Sequence, residues 1–384
     1  MGTKMRIGIN CLSFNSSQRC GAEEVIKNLC KGFVYNGHES ELIFFCYKSM
    51  RDKLVSICPN AKYVVLDERK NPKHSILSNI YIQTLKFHKI YLQYNLHVIF
   101  FASAGIGLFN YKIPVIVLPH DIQHVSHPEI QINKGRLKKL IYKNCHKLFY
   151  AIDFTLANKI IAISNTDKNE IIRYYPKLSN KVKCIYNPID ISQEYNIENE
   201  KGNYIIAVNI QYSHKNIIIL IKAFEIVHRE LPDIELFLIG QESECTQKLK
   251  EYVIEHHLEE RVHFPGYIHR EELLSLWKRA RLYVNPSLYE GFGMTSVEAV
   301  LLGVPTLLSN LPVNREVTQD LCYYFDNYKN ADLLASQILN ILKAPININE
   351  LKENQKKLAN RYDYKRISAL YWKLFEQIGK TNER

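Results

Sequence analysis

The sequence holds no C-x-x-C pair, and its nine cysteines are scattered from position 11 to position 322. That excludes a regular disulfide framework and a zinc ribbon, and it fits a reducing compartment. No His, Cys or carboxylate cluster has ligand spacing, and no D-x-D follows a strand in the right context, so no metal and no cofactor are expected. The G-x-G-x-x-G fingerprint is missing, which argues against a dehydrogenase. Uninterrupted apolar runs of membrane-spanning length are missing too. The fairly apolar stretch Val98–Leu118 is broken by Gly105, Gly107, Asn110, Lys112 and Pro114, and it reads as two buried strands and a loop. The start M-G-T-K-M-R-I-G-I-N has no signal-peptide layout. Gly2 admits a myristoylation reading, against which Met5–Leu12 reads as a buried first strand. There is no internal repeat, no low-complexity tract and no recognised nucleic-acid module.

What is present is ordinary for a globular chain: 384 residues, 46% hydrophobic and 23% charged, enough for two domains with full cores. The net charge of +11 points to an acidic partner, with anionic lipid, a phosphorylated substrate and nucleic acid as the options. Short apolar runs alternate with amphipathic stretches. Arg6–Leu12, Leu42–Tyr47, Tyr63–Leu66, Val98–Ala102, Pro114–Leu118, Lys159–Ser164 and Val182–Tyr186 read as strands. Glu23–Tyr35, Ser75–Tyr94 and Asp167–Tyr174 read as helices. Asn187-Pro188-Ile189-Asp190 breaks the pattern, and the polar segment Ser192–Gly202 reads as a linker. A second set follows. Tyr204–Asn209, Ile234–Gly240, Val262–Pro265, Leu282–Ser287, Pro305–Ser309 and Tyr323–Phe325 read as strands. Asn216–Leu231, Arg270–Arg279, Asp332–Ile341 and Arg366–Ile378 read as helices. The alternation predicts an α/β chain with two parallel sheets and a cleft between two Rossmann-like domains.

Glu290 and Glu298 stand eight apart in Y-E-G-F-G-M-T-S-V-E-A, between the apolar run Leu282–Val284 and the helix opening at Met294–Leu302. The glycines of Glu290-Gly291-Phe292-Gly293 permit a tight turn and a close backbone approach to a ligand. A helix start offers unpaired N–H groups and the positive end of a dipole, which suits an anion. Two carboxylates in this setting can grip a phosphate and several hydroxyls together, as a nucleotide-sugar presents them.

Several segments in order resemble the retaining glycosyltransferases of the GT-B fold, family 4 (glycosyl transferases group 1). They are His214-Lys215-Asn216 before L-I-K-A-F, Val262–Tyr267 before E-E-L-L, Pro286–Gly293, Val297-Glu298-Ala299, Gly303-Val304-Pro305 and Ser309-Asn310. The N-terminal half is similar more loosely, through the Gly21 loop, Pro119-His120-Asp121, Ile161–Ser164 and Asn187-Pro188. S-N-x-P-x-x-x-E-V at Ser309–Val317 is similar to mannosyl-type members that use GDP-mannose, and UDP-hexoses stay open.

The resemblance implies an N-terminal acceptor domain over 1–188, a C-terminal nucleotide-sugar domain over 189–365, and a last helix, 366–384, crossing back to the first domain. It places Glu290 on the hydroxyls of the donor sugar, with Gly291, Phe292, Gly293, Met294 and Thr295 around the donor, and Glu298 on the ribose. A carboxylate accepts from two hydroxyls at once. Lys215 falls on the donor diphosphate, where it neutralises charge on the leaving group. Many relatives add an arginine nearby. Here those positions hold Asn209, Ile210 and His214, and a protonated His214 is the available substitute. His120 is implied beside the reacting acceptor hydroxyl, the alternative being a loop histidine with a structural bond. Asp121 would orient it or the acceptor. Gly21 would bring backbone close to the diphosphate, although relatives often carry two glycines where this chain has Cys20-Gly21.

The segment Lys134–Tyr150 carries Lys134, Arg136, Lys138, Lys139, Lys143 and Lys147 with no acidic residue, interleaved with apolar and aromatic side chains. It reads either as an ordinary basic helix face or as a surface that docks on anionic lipid. The combined expectation is a cytoplasmic enzyme, peripheral at the inner face of the membrane, without nucleic acid. It would move a hexose to a sugar acceptor on a lipid diphosphate carrier in surface polysaccharide assembly. A GT-B sugar-nucleotide epimerase and a non-catalytic lipid- or partner-binding protein are the rival readings.

Overall fold

The computed structural model describes residues 5–14, 21–66, 81–131, 135–190, 197–198 and 200–380. The chain divides into two compact units, Met1–Asp190 with Tyr362–Arg384, and Ile191–Arg361. Each is built on one parallel sheet, as the alternation of apolar and amphipathic segments predicts.

The first sheet comprises β1 (Ile7–Asn10), β2 (Leu42–Tyr47), β3 (Lys62–Leu66), β4 (Val98–Phe101), β5 (Val115–Val117), β6 (Lys159–Ala162) and β7 (Val182–Cys184). Its order is β3-β2-β1-β4-β5-β6-β7. Ile7 pairs with Leu42 on one side and Val98 on the other. The central strands are buried on both faces, which is why they are continuous runs of Ile, Val, Leu and Phe rather than alternating sequences. The edge strand β3 is half exposed and carries Lys62 and Tyr63.

The second sheet comprises β8 (Tyr204–Val208), β9 (Glu235–Ile239), β10 (Val262–Gly266), β11 (Leu282–Asn285), β12 (Thr306–Ser309) and β13 (Tyr323–Phe325), in the order β10-β9-β8-β11-β12-β13. Pro265 cannot donate to a ladder, and it sits on the edge strand β10 where no donor is needed.

The principal helices are α1 (Gly21–Tyr35), α2 (Lys48–Leu54), α3 (Arg136–Leu156), α4 (Asn165–Tyr174), α5 (Ile217–Glu230), α6 (Glu244–Glu255), α7 (Arg270–Lys278), α8 (Met294–Leu301), α9 (Pro312–Thr318), α10 (Ala331–Lys343), α11 (Ile348–Tyr362) and α12 (Tyr364–Gly379). On the second sheet, α5, α6 and α10 cover one face through Leu220, Phe224, Leu249 and Ile338. The other face packs Trp277, Tyr283, Ala299 and Leu302. In the first unit α12 lies against α1. Phe33 meets Trp372 edge-on at 5.9 Å, and Asn36 Nδ2 donates to the Lys365 carbonyl and to Ser368 Oγ, both at 3.0 Å. A Cβ on Gly32 would collide with the Tyr364 carbonyl oxygen and the Ser368 side chain, so the close approach of these helices requires glycine there.

The structure departs from the sequence expectations in a few places. Within Ser75–Tyr94, residues 75–80 lie outside the described residues. The remainder is a π-helical turn, Ile82–Phe87, followed by short helical turns. The helices α2, α6, α9 and α11 were not expected. Val98–Leu118 contains β4, β5 and the loop between them, and among the described residues no helix is long and apolar enough to cross a membrane. The eight described cysteines are all free; burial pushes the Cys11 thiol up, and Cys46 up to about 12, so these behave as small core residues.

Candidate active site

In an open parallel sheet, ligands bind where the crossovers from two neighbouring strands leave in opposite directions. In the second sheet those strands are β8 and β11: β8 connects towards β9, and β11 towards β12. Lys215 follows β8 and Glu290 follows β11, and their side chains meet, Nζ to Oε1, at 2.6 Å. Both are buried, with 9% and 8% of their side chains exposed. The loops are held together by a backbone bond from Leu288 N to the His214 carbonyl at 2.8 Å.

Glu290 Oε1 also accepts from Asn285 Nδ2 at 2.9 Å, and Ser287 Oγ lies 2.8 Å away. Asn285 is fixed in turn by Ser296 Oγ at 3.2 Å. Burial alone would raise the Glu290 pKa. The Lys215 charge and hydrogen bond, with Asn285, outweigh it and hold the carboxyl below its ordinary value. The group is therefore an anion at neutral pH.

Gly293 turns the chain into α8 with φ +80, a left-handed conformation that side chains with a Cβ rarely adopt. Ser296 N and Val297 N both bond to its carbonyl. Met294 and Thr295 form the first turn, and Tyr283 Oη donates to Thr295 Oγ1 at 2.9 Å. Phe292 is buried and Gly291 half-buried. Behind this turn stands Asn314 of α9, whose Nδ2 donates to the Ser309 carbonyl at 2.9 Å. Asn314 Oδ1 would stand 3.4 Å from a Cβ at Gly293, which places the S-N-x-P-x-x-x-E-V segment beside the turn.

Glu298 lies in the second turn of α8, 8% exposed, and its Oε1 accepts from Arg270 Nη2 at 2.6 Å. Arg270 opens α7 after β10. Sequence reasoning missed it. The signal was weak, because the pair is 28 positions apart and only the sheet order brings the two together. Asn285 and Ser287 were missed for the same reason: polar residues at a strand end show no periodicity.

Asn209 is exposed and left-handed (φ +63) just beyond β8. Burial first, and then the neighbouring Lys215 charge, push the His214 pKa down to about 4 despite the opposing pull of Glu290. These surroundings favour the neutral ring over the cation. The fixed cations of this site are Lys215 and Arg270.

In the first unit, His120 follows β5 with φ +68. Its Nε2 lies 2.8 Å from the Ala102 carbonyl, which only accepts, so Nε2 carries the proton and Nδ1 is the acceptor. Burial pushes its pKa down to about 4, against the raising effect of the Ala102 bond. Asp121 Oδ1 accepts from Gln123 N at 3.1 Å. Gly21 begins α1, and a Cβ there would meet nothing within 4 Å among the described residues. Residues 15–20 lie outside the described residues.

On α3, Arg136, Lys138 and Lys147 are exposed, Lys139 is half-buried and Lys134 is outside the described residues. Lys143 lies over the Tyr174 ring, 5.4 Å from its centroid, so its charge is engaged within the protein. Leu137, Leu140, Ile141 and Leu148 of the same helix stand 55–70% exposed. Cys145, Leu148, Phe149 and Ile152 line a cavity of about 190 Å3 together with Gly105, Gly107 and Leu108. Among the described residues no group of three or more His, Cys, Asp or Glu could hold a metal ion.

Two parallel-sheet units, one with a lysine–glutamate pair at its switch point and a second glutamate on the helix that follows, define a glycosyltransferase of GT-B architecture. Anabaena HepE, solved in complex with UDP and glucose, has the same fold. The TM-score is 0.71 at 16% identity, over 97% of this chain and 99% of that one. Family models for Glycosyltransferase Family 4 and Glycosyl transferases group 1 match residues 20–193 and 189–358, and the chain belongs to this family of glycosyltransferases. The O-antigen chain mannosyltransferase RfbU of Salmonella typhimurium is 26% identical over 268 residues, 68% of this chain and 70% of its own length. The O-antigen biosynthesis glycosyltransferase WclY of Escherichia coli is 25% identical over 383 residues, 95% of this chain and 98% of its own.

Proposed function

We propose that this enzyme moves a hexose, with retention of configuration, from a nucleotide-sugar to a sugar acceptor on a lipid diphosphate carrier, in the assembly of a surface polysaccharide such as O-antigen. The observation that carries the reading is the buried Lys215–Glu290 pair at the switch point of the second sheet. GDP-mannose is the first donor to test, because RfbU is a mannosyltransferase and Ser309–Val317 follows the mannosyl-type pattern. UDP-hexoses come second, since HepE was solved with UDP.

Lys215 stabilises charge on the departing diphosphate, Glu290 accepts from donor-sugar hydroxyls, and Glu298 accepts from the ribose. The bond from the anomeric carbon to the phosphate oxygen breaks while the acceptor oxygen bonds to the same face. The acceptor proton passes to the departing phosphate. His120, with a pKa of about 4, is too weak a base to hold that proton at pH 7. Its Nδ1 accepts a hydrogen bond and orients a hydroxyl. No metal enters this scheme. The exposed cations and leucines of α3 support peripheral docking on the anionic cytoplasmic face of a membrane, where the acceptor's lipid resides.

The test is calorimetric binding of UDP, GDP and their sugar conjugates without metal, followed by product analysis with a lipid-linked acceptor. Tight binding of one nucleotide, and sugar transfer that ceases in Lys215→Ala and Glu290→Ala, is the expected result. Nucleotide release without acceptor would favour the epimerase reading. Full biological activity in both variants would favour a non-catalytic role.

A further inference from the structure

The described partners of Glu298 and Glu290 differ in kind. Glu290 shares Lys215 with two neutral donors, Asn285 and Ser287. The Glu298 side chain has a single partner among the described residues, Arg270, which reaches Oε1 through Nη2 at 2.6 Å. The carboxylate is 8% exposed and the arginine 36%. One ion pair therefore joins the crossover after β10, at the edge of the sheet, to the helix that follows the central strand β11.

A carboxylate has about four lone-pair sites. A monodentate arginine uses one, which leaves enough for two hydroxyl donors. A vicinal diol offers two such donors at a fixed spacing, and it can use both only if the carboxylate plane is held still. A glutamate near a helix start has three side-chain torsions. The guanidinium is a permanent charge with a rigid donor geometry, so it fixes the carboxylate in a way that a neutral amide does not. Lys215 fixes Glu290, and among the described residues Arg270 alone does the equivalent for Glu298.

We propose that Arg270 is a positioning residue that aims the Glu298 carboxylate at both ribose hydroxyls of the nucleotide and so makes the site selective for ribonucleotides over their deoxy analogues. The proposal rests on the ribose role assigned to Glu298 above. It concerns the sugar of the nucleotide and is independent of which base or hexose the donor carries.

The experiment compares UDP or GDP, whichever binds, with its 2′,3′-dideoxy analogue by calorimetry. The proteins are wild type, Glu298→Gln, Arg270→Gln and Arg270→Lys. Wild type should prefer the ribonucleotide by about 100-fold, on the order expected when a site built for hydroxyls loses them. Arg270→Gln should cut that preference to below about 10-fold while changing dideoxy affinity by no more than about twofold. Arg270→Lys, which keeps the charge and loses the planar fork, should fall between. Dideoxy binding also reports whether each variant is folded. An equal loss for both nucleotides in Arg270→Gln would mean a merely structural arginine, and an unchanged preference would mean no role; either outcome overturns the proposal. If wild type and Glu298→Gln both fail to discriminate, the ribose assignment itself falls. If Glu298→Gln loses discrimination and Arg270→Gln keeps it, only the arginine's role falls.

Discussion

At the scale of single residues, the proposed donor site is a set of buried charges that need one another. Lys215 and Glu290 are each less than a tenth exposed, so removing one leaves the other desolvated and unpaired. Lys215→Met alone should therefore cost about 3–5 kcal/mol of stability, whereas Lys215→Met with Glu290→Gln should recover most of it. Denaturant unfolding of the four proteins in the cycle measures this. Activity should behave differently: the double variant stays as inactive as the single ones, with turnover down by roughly 10²–10³, because the groups that act on the donor are gone in each. Recovery of stability without recovery of rate separates the structural from the chemical role of the pair. The Arg270–Glu298 pair is the more exposed of the two, and its effect should appear mainly in nucleotide selectivity.

At the scale of elements, two pieces of chain were within reach of sequence reasoning, and two illustrate what was not. The Gly293 turn was legible because glycine marks a backbone position other residues avoid. A Cβ there would meet only ordinary contacts, the nearest 3.4 Å away at Asn314 Oδ1, so the penalty is one of backbone conformation. Gly293→Ala should lose about 1–2 kcal/mol and weaken nucleotide binding, and Gly293→Asn should lose less, since asparagine tolerates φ near +80. Thermal melts of both variants test the ordering. The basic stretch in α3 was legible as charge, and the structure adds its exposed leucine and isoleucine side chains. Reversing Arg136, Lys138 and Lys147 to Glu should weaken binding to anionic vesicles by 100-fold or more, at ~1 kcal/mol per neutralised charge. Replacing Leu137, Ile141 and Leu148 by Ser should remove a further component that salt does not screen. Vesicle co-sedimentation at two salt concentrations resolves the two parts. By contrast, α6 has few apolar positions, and its signal lay in the Ser243–Thr246 capping box rather than in periodicity. The largely polar α11 offers still less apolar pattern to read. Strands buried on both faces announce themselves as apolar runs; helices held by a thin stripe do not. Ion pairs such as Arg270–Glu298 depend on strand order, which a single sequence does not print.

At the scale of the whole molecule, acid stability should reveal how many histidines the fold keeps neutral. Three sit in surroundings that push their pKa values down to about 4, burial being the largest cause in each: His120 and His124 in the first unit and His214 in the second. His124 stacks on His146 at 4.5 Å and bonds through Nδ1 to Tyr142 Oη at 2.6 Å, so its neighbour's positive charge opposes its own protonation. The sign follows from linkage. Below about 6.5 the unfolded chain takes up protons at these positions and the folded chain does not, so stability present above pH 6.5 is lost as pH falls towards 4. Each group contributes a slope of about 1.4 kcal/mol per pH unit within that window. Glu290 acts later: its carboxyl is held below the ordinary value, so its contribution is present above the unfolded pKa and disappears only as pH falls through the lower folded one. Unfolding followed from pH 7.5 to pH 4.5 should therefore show net losses that begin near 6.5, offset in part by Asp153, whose carboxyl burial pushes up to about 7 and whose contribution has the opposite sign. His214→Gln should flatten the limb belonging to the second unit, and His120→Gln, which keeps an N–H for the Ala102 carbonyl, should reduce that of the first, where His124 still contributes. A pH slope from pH 7 to pH 5 that neither histidine variant changes would mean that the folded protein protonates these rings freely. The neutral imidazole assigned to His120 and the uncharged His214 would then both be wrong, and the latter would regain the cationic role that the missing arginine leaves open.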